Sequence, residues 1–354
     1  MRSFNRCLIK ALLAASSIIF FCEYLMYYVV LLQCRWPDLD HGKIDPGITL
    51  TDMEDTTPVK VMFLSDTHLL GSLNGHWFDK LRREWQMYRV FQTTMTIHKP
   101  EVVFVLGDIF DEGLWCSAAE FNRYVTRFNS LFYVPKSTRI YVVAGNHDMG
   151  FHYKIIPYLN QRFVNGMKAP NVRKISIRGN HFVLLNSMAL EGDGCFLCRP
   201  TEIALDRIAK QLQCTKGIGS CKVNDILKQY SRPIILQHYP MYRESDEICH
   251  ELDEAPPQLK DVKFRERWEC LSKEASEQLL DVLKPSWRNK NNPSFLMGVF
   301  TPNNYAVSKC YMPLETTMIG IYVLGIISIV IYLVLQNRKI FFRYRFAKLI
   351  CERP

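Results

Sequence analysis

Residues 59–68 of this 354-residue chain read Val-Lys-Val-Met-Phe-Leu-Ser-Asp-Thr-His. The first six residues are mostly β-branched or apolar and predict a buried strand, and the polar residues after Leu64 predict a loop. The same pattern recurs along the chain, with helical patterns between the strands. Further strands are predicted at 102–106, 139–144, 174–177, 182–186 and 234–236, and helices at 77–98, 118–131, 201–213 and 272–283. This alternation predicts an α/β layered fold, in which ligands bind at the carboxyl ends of the strands.

Four loops that follow predicted strands carry side chains able to bind a metal ion. They read Ser65-Asp66-Thr67-His68, Gly107-Asp108-Ile109-Phe110-Asp111, Gly145-Asn146-His147-Asp148 and Gln237-His238-Tyr239-Pro240. Each loop alone carries little weight, because a single histidine after a strand is usually an ordinary hydrogen-bonded residue. Four such loops, all at strand ends, predict that their side chains meet at one edge of the fold.

The residue types in these loops suit a centre of two metal ions. Asp66 and His68 are two residues apart, so on an extended backbone both side chains point the same way and can reach one ion. Asp108 can bridge that ion to a second one, for which Asn146 and His238 complete the protein ligands. Oxygen and imidazole ligands without thiolate favour Mn, Fe or Zn. Such a pair of ions is typical of phosphoester hydrolysis.

Two further residues in these loops are candidates for catalysis. His147 follows Asn146 directly, and we expect it to face the substrate and protonate the leaving oxygen. Asp148 adjoins His147 and could orient the imidazole, a question of geometry that the sequence leaves open. No substrate-binding residue is identified. The remaining histidines are expected to be ordinary polar residues in loops or at the ends of elements: His41, His76, His98, His152, His181 and His250.

The motifs Asp-x-His, Gly-Asp-x-x-Asp, Gly-Asn-His-Asp and a later strand-end histidine resemble, in that order, the calcineurin-like metallophosphoesterase family over most of 59–242. The resemblance implies a layered sandwich in which helices flank two mixed β-sheets. It also implies a hydrolase that binds two divalent metal ions, with Mn²⁺ as the expected metal.

The wider arrangement is similar to membrane-bound members of this family that act on glycosylphosphatidylinositol (GPI) anchors. It comprises Leu-Ser-Asp-Thr-His-Leu-Leu-Gly from Leu64, the residues 88–90, the segment 287–295 and an apolar run at each end. The resemblance implies a phosphodiesterase that removes ethanolamine-phosphate from the second mannose of the GPI glycan. Its partner would then be the GPI glycolipid of GPI-anchored proteins, whose transport from the endoplasmic reticulum to the Golgi it would promote.

Two nearly continuous apolar runs, 11–34 and 316–335, are each long enough to span a bilayer. The first could also be a cleaved signal sequence, but it is too long for a typical signal core and no small-residue cleavage site follows it. Glu23 lies near the middle of this run, either as a functional group or as a carboxyl group that meets the second helix or is kept protonated. We therefore expect one transmembrane helix at each end of the chain.

The net charge of +9 is concentrated beside these two runs. Basic residues precede the first run and follow the second, and such residues stay in the cytosol during insertion. The predicted order is a cytosolic tail (1–10), a transmembrane helix (11–34), a linker (35–58), a lumenal catalytic domain (59–312), a second transmembrane helix (316–335) and a second cytosolic tail (336–354). The central part has no basic stripe with interleaved aromatics, which argues against nucleic-acid binding.

A lumenal domain lies in an oxidising compartment, where cysteines can pair. Eight of the 12 cysteines fall in the predicted domain, and the sequence does not give their connectivity. Cys195-Phe-Leu-Cys198 has the spacing of half a zinc site or of a redox dithiol, but a structural disulfide is favoured.

The family resemblance also implies a location for the protein, in membranes of the early secretory pathway: endoplasmic reticulum exit sites, the intermediate compartment between endoplasmic reticulum and Golgi, and the cis-Golgi.

A fifth family motif, Gly-His-x-His, is missing, because no histidine follows His250. Its two histidines would supply one further ligand to each ion. The predicted helix that ends near Leu283 runs directly into Lys284-Pro285, where the resemblance implies a strand with this motif. Three hypotheses remain: a GPI-directed phosphodiesterase with a weakened metal centre, a catalytically silent membrane protein that binds the glycolipid or its enzyme, and a hydrolase of nucleotides or phosphoproteins.

We predict that this chain binds manganese weakly and hydrolyses phosphodiesters slowly, because each ion has lost a ligand. Even the loss of a residue that only hydrogen-bonds to a ligand lowers metal affinity by about 10 to 100-fold. Titration of the purified protein with manganese, monitored by electron paramagnetic resonance, should show weaker binding than the same titration of a family member with all five motifs. Fast turnover of bis(p-nitrophenyl) phosphate at low manganese would contradict the prediction.

Overall fold

The computed structural model describes residues 2–40, 57–150, 155–218, 221–222, 226–247, 256–283 and 294–351. His41, His152, Cys249, His250, most of the 287–295 segment and most of the predicted linker lie outside these residues. The chain forms two compact units, one of Met1–Cys34 with Tyr311–Pro354 and one of Arg35–Cys310. The second unit contains the four candidate loops.

Among the described residues, eight strands form two sheets in the Arg35–Cys310 unit and at its boundary. They are β1 (Val59–Leu64), β2 (Val102–Leu106), β3 (Arg139–Val143), β4 (Val172–Ile177), β5 (Asn180–Leu185), β6 (Ile234–Gln237), β7 (Ser294–Thr301) and β8 (Asn304–Tyr311). The first sheet has the order β3-β2-β1-β7-β8 and the second the order β4-β5-β6. Both sheets are mixed: β1 is parallel to β2 and antiparallel to β7, and β5 is antiparallel to β4 and parallel to β6.

Helices flank these sheets and form the two ends of the chain. They are α1 (Arg2–Phe20), α2 (Met26–Leu31), α3 (Trp77–Ile97), α4 (Ala118–Leu131), α5 (Asn146–Met149), α6 (Pro157–Met167), α7 (Cys198–Thr215), α8 (Lys273–Leu283) and α9 (Glu315–Cys351). The local sequence explains where one of these helices begins. Helix α4 begins at a capping box, in which Ser117 and Glu120 each accept a hydrogen bond from the other's backbone N–H.

The two sheets pack face to face through an aromatic core. The ring of Phe104 on β2 lies 5.1 Å from that of Phe182 on β5, and Phe182 lies 5.4 Å from Phe300 on β7. Phe63 on β1 stacks on Phe104 at 5.7 Å. These buried residues come from both sheets and form one cluster. The predicted fold class, a layered sandwich of helices and two mixed sheets, is therefore confirmed.

The other unit contains the two apolar helical segments. Asn5–Leu31 and Glu315–Lys339 are long and apolar enough to cross a membrane, as expected for one transmembrane helix at each end. The first segment includes a π-helical turn, Phe21–Leu25, that contains Glu23. The Tyr322 hydroxyl of α9 donates a hydrogen bond of 2.6 Å to the Glu23 carboxylate. Glu23 thus contacts the second apolar helix. This is the structural role for Glu23, not the functional one.

Two disulfides close short loops of the Arg35–Cys310 unit. Cys195 pairs with Cys198, and Cys214 pairs with Cys221. The structural interpretation of Cys195-Phe-Leu-Cys198 therefore agrees with the structure, in which the pair stands at the start of α7. Cys116 and Cys270 are free and buried.

We predict that Phe104→Ala lowers the free energy of unfolding of the domain by about 3 to 5 kcal/mol, because it leaves a cavity between the sheets. Phe104 is fully buried against three aromatic rings. Urea unfolding of the full chain in detergent, followed by tryptophan fluorescence, measures this change. The control Tyr133→Ala removes a ring that is 64% exposed and should cost about 0.5 kcal/mol or less. Similar costs for both variants would contradict the proposed core.

Candidate metal centre

The loops after β1 and β2 are held together by their backbones. The N–H of Asp66 donates to the carbonyl of Gly107 at 3.1 Å, and the N–H of His68 donates to that of Asp108 at 2.9 Å. Asp66, His68 and Asp108 have φ angles of 56°, 40° and 48°. This left-handed backbone is strained for residues with side chains, and such strain is concentrated at functional sites.

These φ angles correct one step of the sequence argument. Asp66 and His68 do not share a face of an extended segment, since both residues lie in the left-handed region. The turns of the backbone nevertheless bring the two side chains together. His68 Nε2 lies 3.8 Å from the Asp66 carboxylate and 3.6 Å from the Asp108 carboxylate.

Two glycines allow the loops to approach this closely. A Cβ atom at Gly145 would lie 2.1 Å from the backbone nitrogen of Asp108, and one at Gly107 would lie 2.6 Å from the Cβ of His238. Any other residue at these positions would push the loops apart. Packing against α4 also fixes the loop after β2, because the fully buried Phe110 of this loop contacts Phe121 of α4.

Two groups of potential ligands share the Asp108 carboxylate. One consists of Asp66, Asp108 and His238, and the other of His68, Asp108 and His147; within each group the ligand atoms lie within 4.8 Å of one another. This grouping differs from the assignment made from the sequence, which placed Asp66 with His68 on one ion. The carboxylate oxygens and imidazole nitrogens fit divalent cations such as Mn²⁺, Fe²⁺ or Zn²⁺. Sharing of Asp108 fits two such ions.

Asn146 and His238 lie at the same place. His238 Nε2 is 3.2 Å from the Asn146 side-chain oxygen and 3.3 Å from the Asp108 carboxylate. Its Nδ1 is 2.8 Å from the carbonyl of Leu106, so the N–H at Nδ1 donates to that carbonyl. Nε2 thus faces the other ligands, and all five predicted metal ligands are brought together.

The charges of the centre stabilise positive charge at the imidazoles. Burial lowers the pKa of His238, but the Asp108 carboxylate and the more distant Asp66 outweigh it and raise the pKa to about 9. The Asp66 carboxylate, helped by Asp108 and Asp111, likewise raises the pKa of His68 against burial. For Asp108, burial opposes ionisation, yet its contact with His238 holds the pKa below the usual value. A cation is favoured at this position.

The sequence leaves open whether Asp148 orients His147, and the structure shows which groups the Asp148 carboxylate contacts. Its carboxylate accepts hydrogen bonds from the N–H groups of Ile109 and Phe110, each at 3.0 Å, and from Gly145 at 2.9 Å. Burial raises the pKa of Asp148 to about 7 against these hydrogen bonds. Because these contacts join the backbones of two loops, Asp148 positions the centre and does not orient the His147 ring.

Asp111 contacts both His68 and His147. Its carboxylate lies 3.2 Å from Nδ1 of His68, and its carbonyl accepts from Nδ1 of His147 at 3.3 Å. The sequence places Asp111 in the Gly-Asp-x-x-Asp motif but assigns no role to it. The Gly-Asp-x-x-Asp spacing was the available signal, because a carboxylate next to a ligand histidine commonly orients the ring.

His147 is placed where a substrate could meet it. Its ring lies 4.7 Å from that of His68, and its side chain is 42% exposed. The N–H of His147 also donates to the Asp108 carboxylate at 2.9 Å. Its backbone therefore holds Asp108 while its ring faces solvent beside the other ligands.

The other described histidines make structural contacts. His76 precedes α3 and accepts a hydrogen bond from the N–H of Phe78, and His98 follows the last turn of the same helix. His181 lies between Ser176 and the carbonyl of Gln229. These contacts agree with their expected role as ordinary polar residues.

The chain is similar to several known proteins. The family profile of calcineurin-like phosphoesterases matches residues 59–261. Metallophosphoesterase 1 of Gallus gallus is 41% identical over 347 residues, covering 89% of this chain and 86% of that protein. The Pongo abelii protein of the same name is 42% identical over 365 residues, covering 93% and 89%, and the Ailuropoda melanoleuca protein is 43% identical over 353 residues, covering 91% and 87%.

Among solved structures, an archaeal phosphodiesterase aligns with a TM-score of 0.25 and 14% identity, covering 71% of this chain and 99% of that one.

We predict that Asp111→Asn lowers manganese affinity by about 10 to 100-fold, because it loosens the orientation of His68. Isothermal titration of the full chain in detergent with manganese alone measures this change. The control Asp206→Asn changes an exposed carboxylate on α7 and should bind manganese like the unmodified chain. Equal affinity for all three proteins would show that Asp111 does not orient a ligand.

Proposed function

The chain belongs to the calcineurin-like phosphoesterase family, and on that basis we propose that it is a membrane-anchored phosphodiesterase with a dinuclear metal centre. One observation carries this proposal. Asp66 with His238, and His68 beside His147, lie around the shared carboxylate of Asp108, at the carboxyl ends of strands from both sheets. A carboxylate shared in this way suits two ions that act on one phosphoryl group.

The residues of the centre have separate tasks in this reaction. Asp66, His68, Asp108, Asn146 and His238 would hold the ions, for which Mn²⁺ is proposed. When bound, such ions polarise the phosphoryl oxygens and lower the pKa of water. His147 meets the leaving group: with Nδ1 held at the Asp111 carbonyl, its Nε2 can donate the proton that the departing oxygen requires. Asp111 and Asp148 position these groups.

We further propose that the substrate is the GPI glycan, from whose second mannose the enzyme removes ethanolamine-phosphate. The apolar helices at both ends support a membrane-bound substrate. The basic residues outside the two apolar runs favour cytosolic termini and a lumenal centre, on the side where that glycan lies. The proposed location is the early secretory pathway, from endoplasmic reticulum exit sites to the cis-Golgi, where removal would promote transport of GPI-anchored proteins.

The missing Gly-His-x-His motif favours a second candidate function, a silent protein that binds the glycolipid. Among the described strands, β6 hydrogen-bonds to β5 and ends the sheet β4-β5-β6. A strand bearing the motif could continue this sheet, so its absence leaves an edge beside His238. The centre then offers each ion fewer protein ligands than the family pattern supplies.

Metal content and hydrolysis separate these functions. For the full chain purified in detergent with excess manganese, we expect close to two ions per chain by mass spectrometry and hydrolysis of bis(p-nitrophenyl) phosphate. Asp108→Asn should lose metal and lower the rate by about 100-fold or more, whereas the control Asp261→Asn, on the surface, should retain both. Chains without metal would support the silent protein.

The substrate is tested separately on purified GPI glycolipid. Mass spectrometry should show loss of one ethanolamine-phosphate from the second mannose, dependent on Asp108. An enzyme active on the model phosphodiester but not on the glycolipid would refute the GPI substrate and keep the hydrolase.

A further inference from the structure

Two loops that leave the metal centre are joined to each other. The Asn74 side chain donates to the Asp111 carboxylate at 3.3 Å. The N–H groups of Leu73 and Asn74 donate to the buried Glu112 carboxylate at 3.0 and 2.5 Å. The second loop also contacts the centre directly, because the N–H of Leu114 donates to the carbonyl of His147 at 2.9 Å. Residues next to these contacts therefore border the centre.

Large apolar side chains are exposed on this border. Leu73, Trp77, Phe78 and Trp115 are 75%, 67%, 56% and 67% exposed, and we call these four residues the aromatic rim. Leu81, one turn further along α3, is 61% exposed. Apolar side chains grouped in this way are unusual on a surface that faces only water. Tryptophan and phenylalanine beside leucine are typical of surfaces that lie in the headgroup region of a bilayer.

The register of the first sheet places the C-terminal exit of the domain at the same end. Phe63 of β1 pairs with Leu296 of β7, so β7 starts at the carboxyl end of β1. Strands β7 and β8 have eight residues each with two residues between them, so Cys310 near the end of β8 lies beside the start of β7. Two strand spacings, roughly 10 Å, separate β8 from β1.

The N-terminal entry lies along the same strand. The Ser308 hydroxyl of β8 donates to the carbonyl of Arg35 at 3.2 Å, and the Asn304 side chain donates to that of Asp40 at 2.8 Å. Because Arg35 is nearer the end of β8, the chain enters the domain towards the metal-centre end. Both segments that continue into apolar helices therefore join the domain towards the end that carries the centre.

We propose that the aromatic rim docks on the lipid bilayer and holds the edge of the metal centre against the headgroup region. The chain itself supplies the argument for this occupant, since its links to the apolar helices are at that end and keep a bilayer within reach. A glycan ligand would suit the rings but not the exposed Leu73 and Leu81, which have no stacking face. Docking deepens the proposed function, on which it rests for its substrate: a phosphodiester carried by a lipid.

Quenching by brominated lipids tests the docking without requiring activity. The full chain is reconstituted in nanodiscs with lipids brominated on the acyl chains near the headgroup. Trp77→Phe with Trp115→Phe should lose most of the quenched tryptophan fluorescence. The control Trp268→Phe changes a tryptophan that is 63% exposed and does not belong to the aromatic rim, and this variant should keep the quenching. Equal quenching in both variants, or none in the unmodified chain, overturns the proposal; protection of Trp77 by soluble mannosides alone would instead indicate a glycan surface.

A second measurement compares two substrates. Trp77→Ala with Trp115→Ala should lower the ratio of the rate on a phosphodiester lipid in vesicles to that on bis(p-nitrophenyl) phosphate by about 10-fold, because docking raises the local concentration of the lipid. Circular dichroism checks that the variant is folded. An unchanged ratio contradicts docking. If the unmodified chain hydrolyses neither substrate, the proposed function fails while the quenching result still decides the inference.

Discussion

The centre depends on the close approach of three loops around the carboxylate of Asp108. A carboxylate can serve two groups of ligands only if the loops after β1, β3 and β6 all reach it. Gly107 and Gly145 provide the space, and the buried carboxylate of Asp148 ties the loop after β3 to the loop after β2, which carries Asp108 itself. The two-sheet core places the strands so that these loops start at one edge. The metal centre thus depends on backbone packing as much as on the ligands themselves.

Much of this arrangement could be predicted from the sequence, because the apolar residues that mark a strand or a helix in the sequence are also the ones that are buried in the fold. The predicted bounds of the strand at Val59–Leu64 and the helix at Ala118–Leu131 match the structure. The helix Pro157–Met167 and the strands β7 and β8 were not predicted. Gly298 interrupts the run of large apolar residues in β7, and β8 is only partly buried, so neither strand has a clear alternating pattern. Their positions follow from pairing with β1, a contact between distant parts of the chain.

At the site, residue identity was easier to predict than geometry. The five ligand candidates do converge, because strand ends in this fold meet at one edge. The left-handed backbone of Asp66 and His68 and the contacts of Asp148 depend on neighbouring loops, which no spacing rule contains. Asp111 shows the same limit: its motif was visible, but its contacts with His68 and His147 exist only after folding.

The hydrogen bond between Tyr322 and Glu23 has a consequence for biosynthesis. The two residues are 299 positions apart, and a ribosome that adds about 5 to 20 residues per second needs roughly 15 to 60 s to make that length. During this interval the N-terminal helix holds a carboxyl group at bilayer depth before its tyrosine has been translated, at a cost of about 2.5 to 3.5 kcal/mol if ionised. Early release of this helix into lipid is disfavoured, and the pair is complete only once Tyr322 of α9 has been translated.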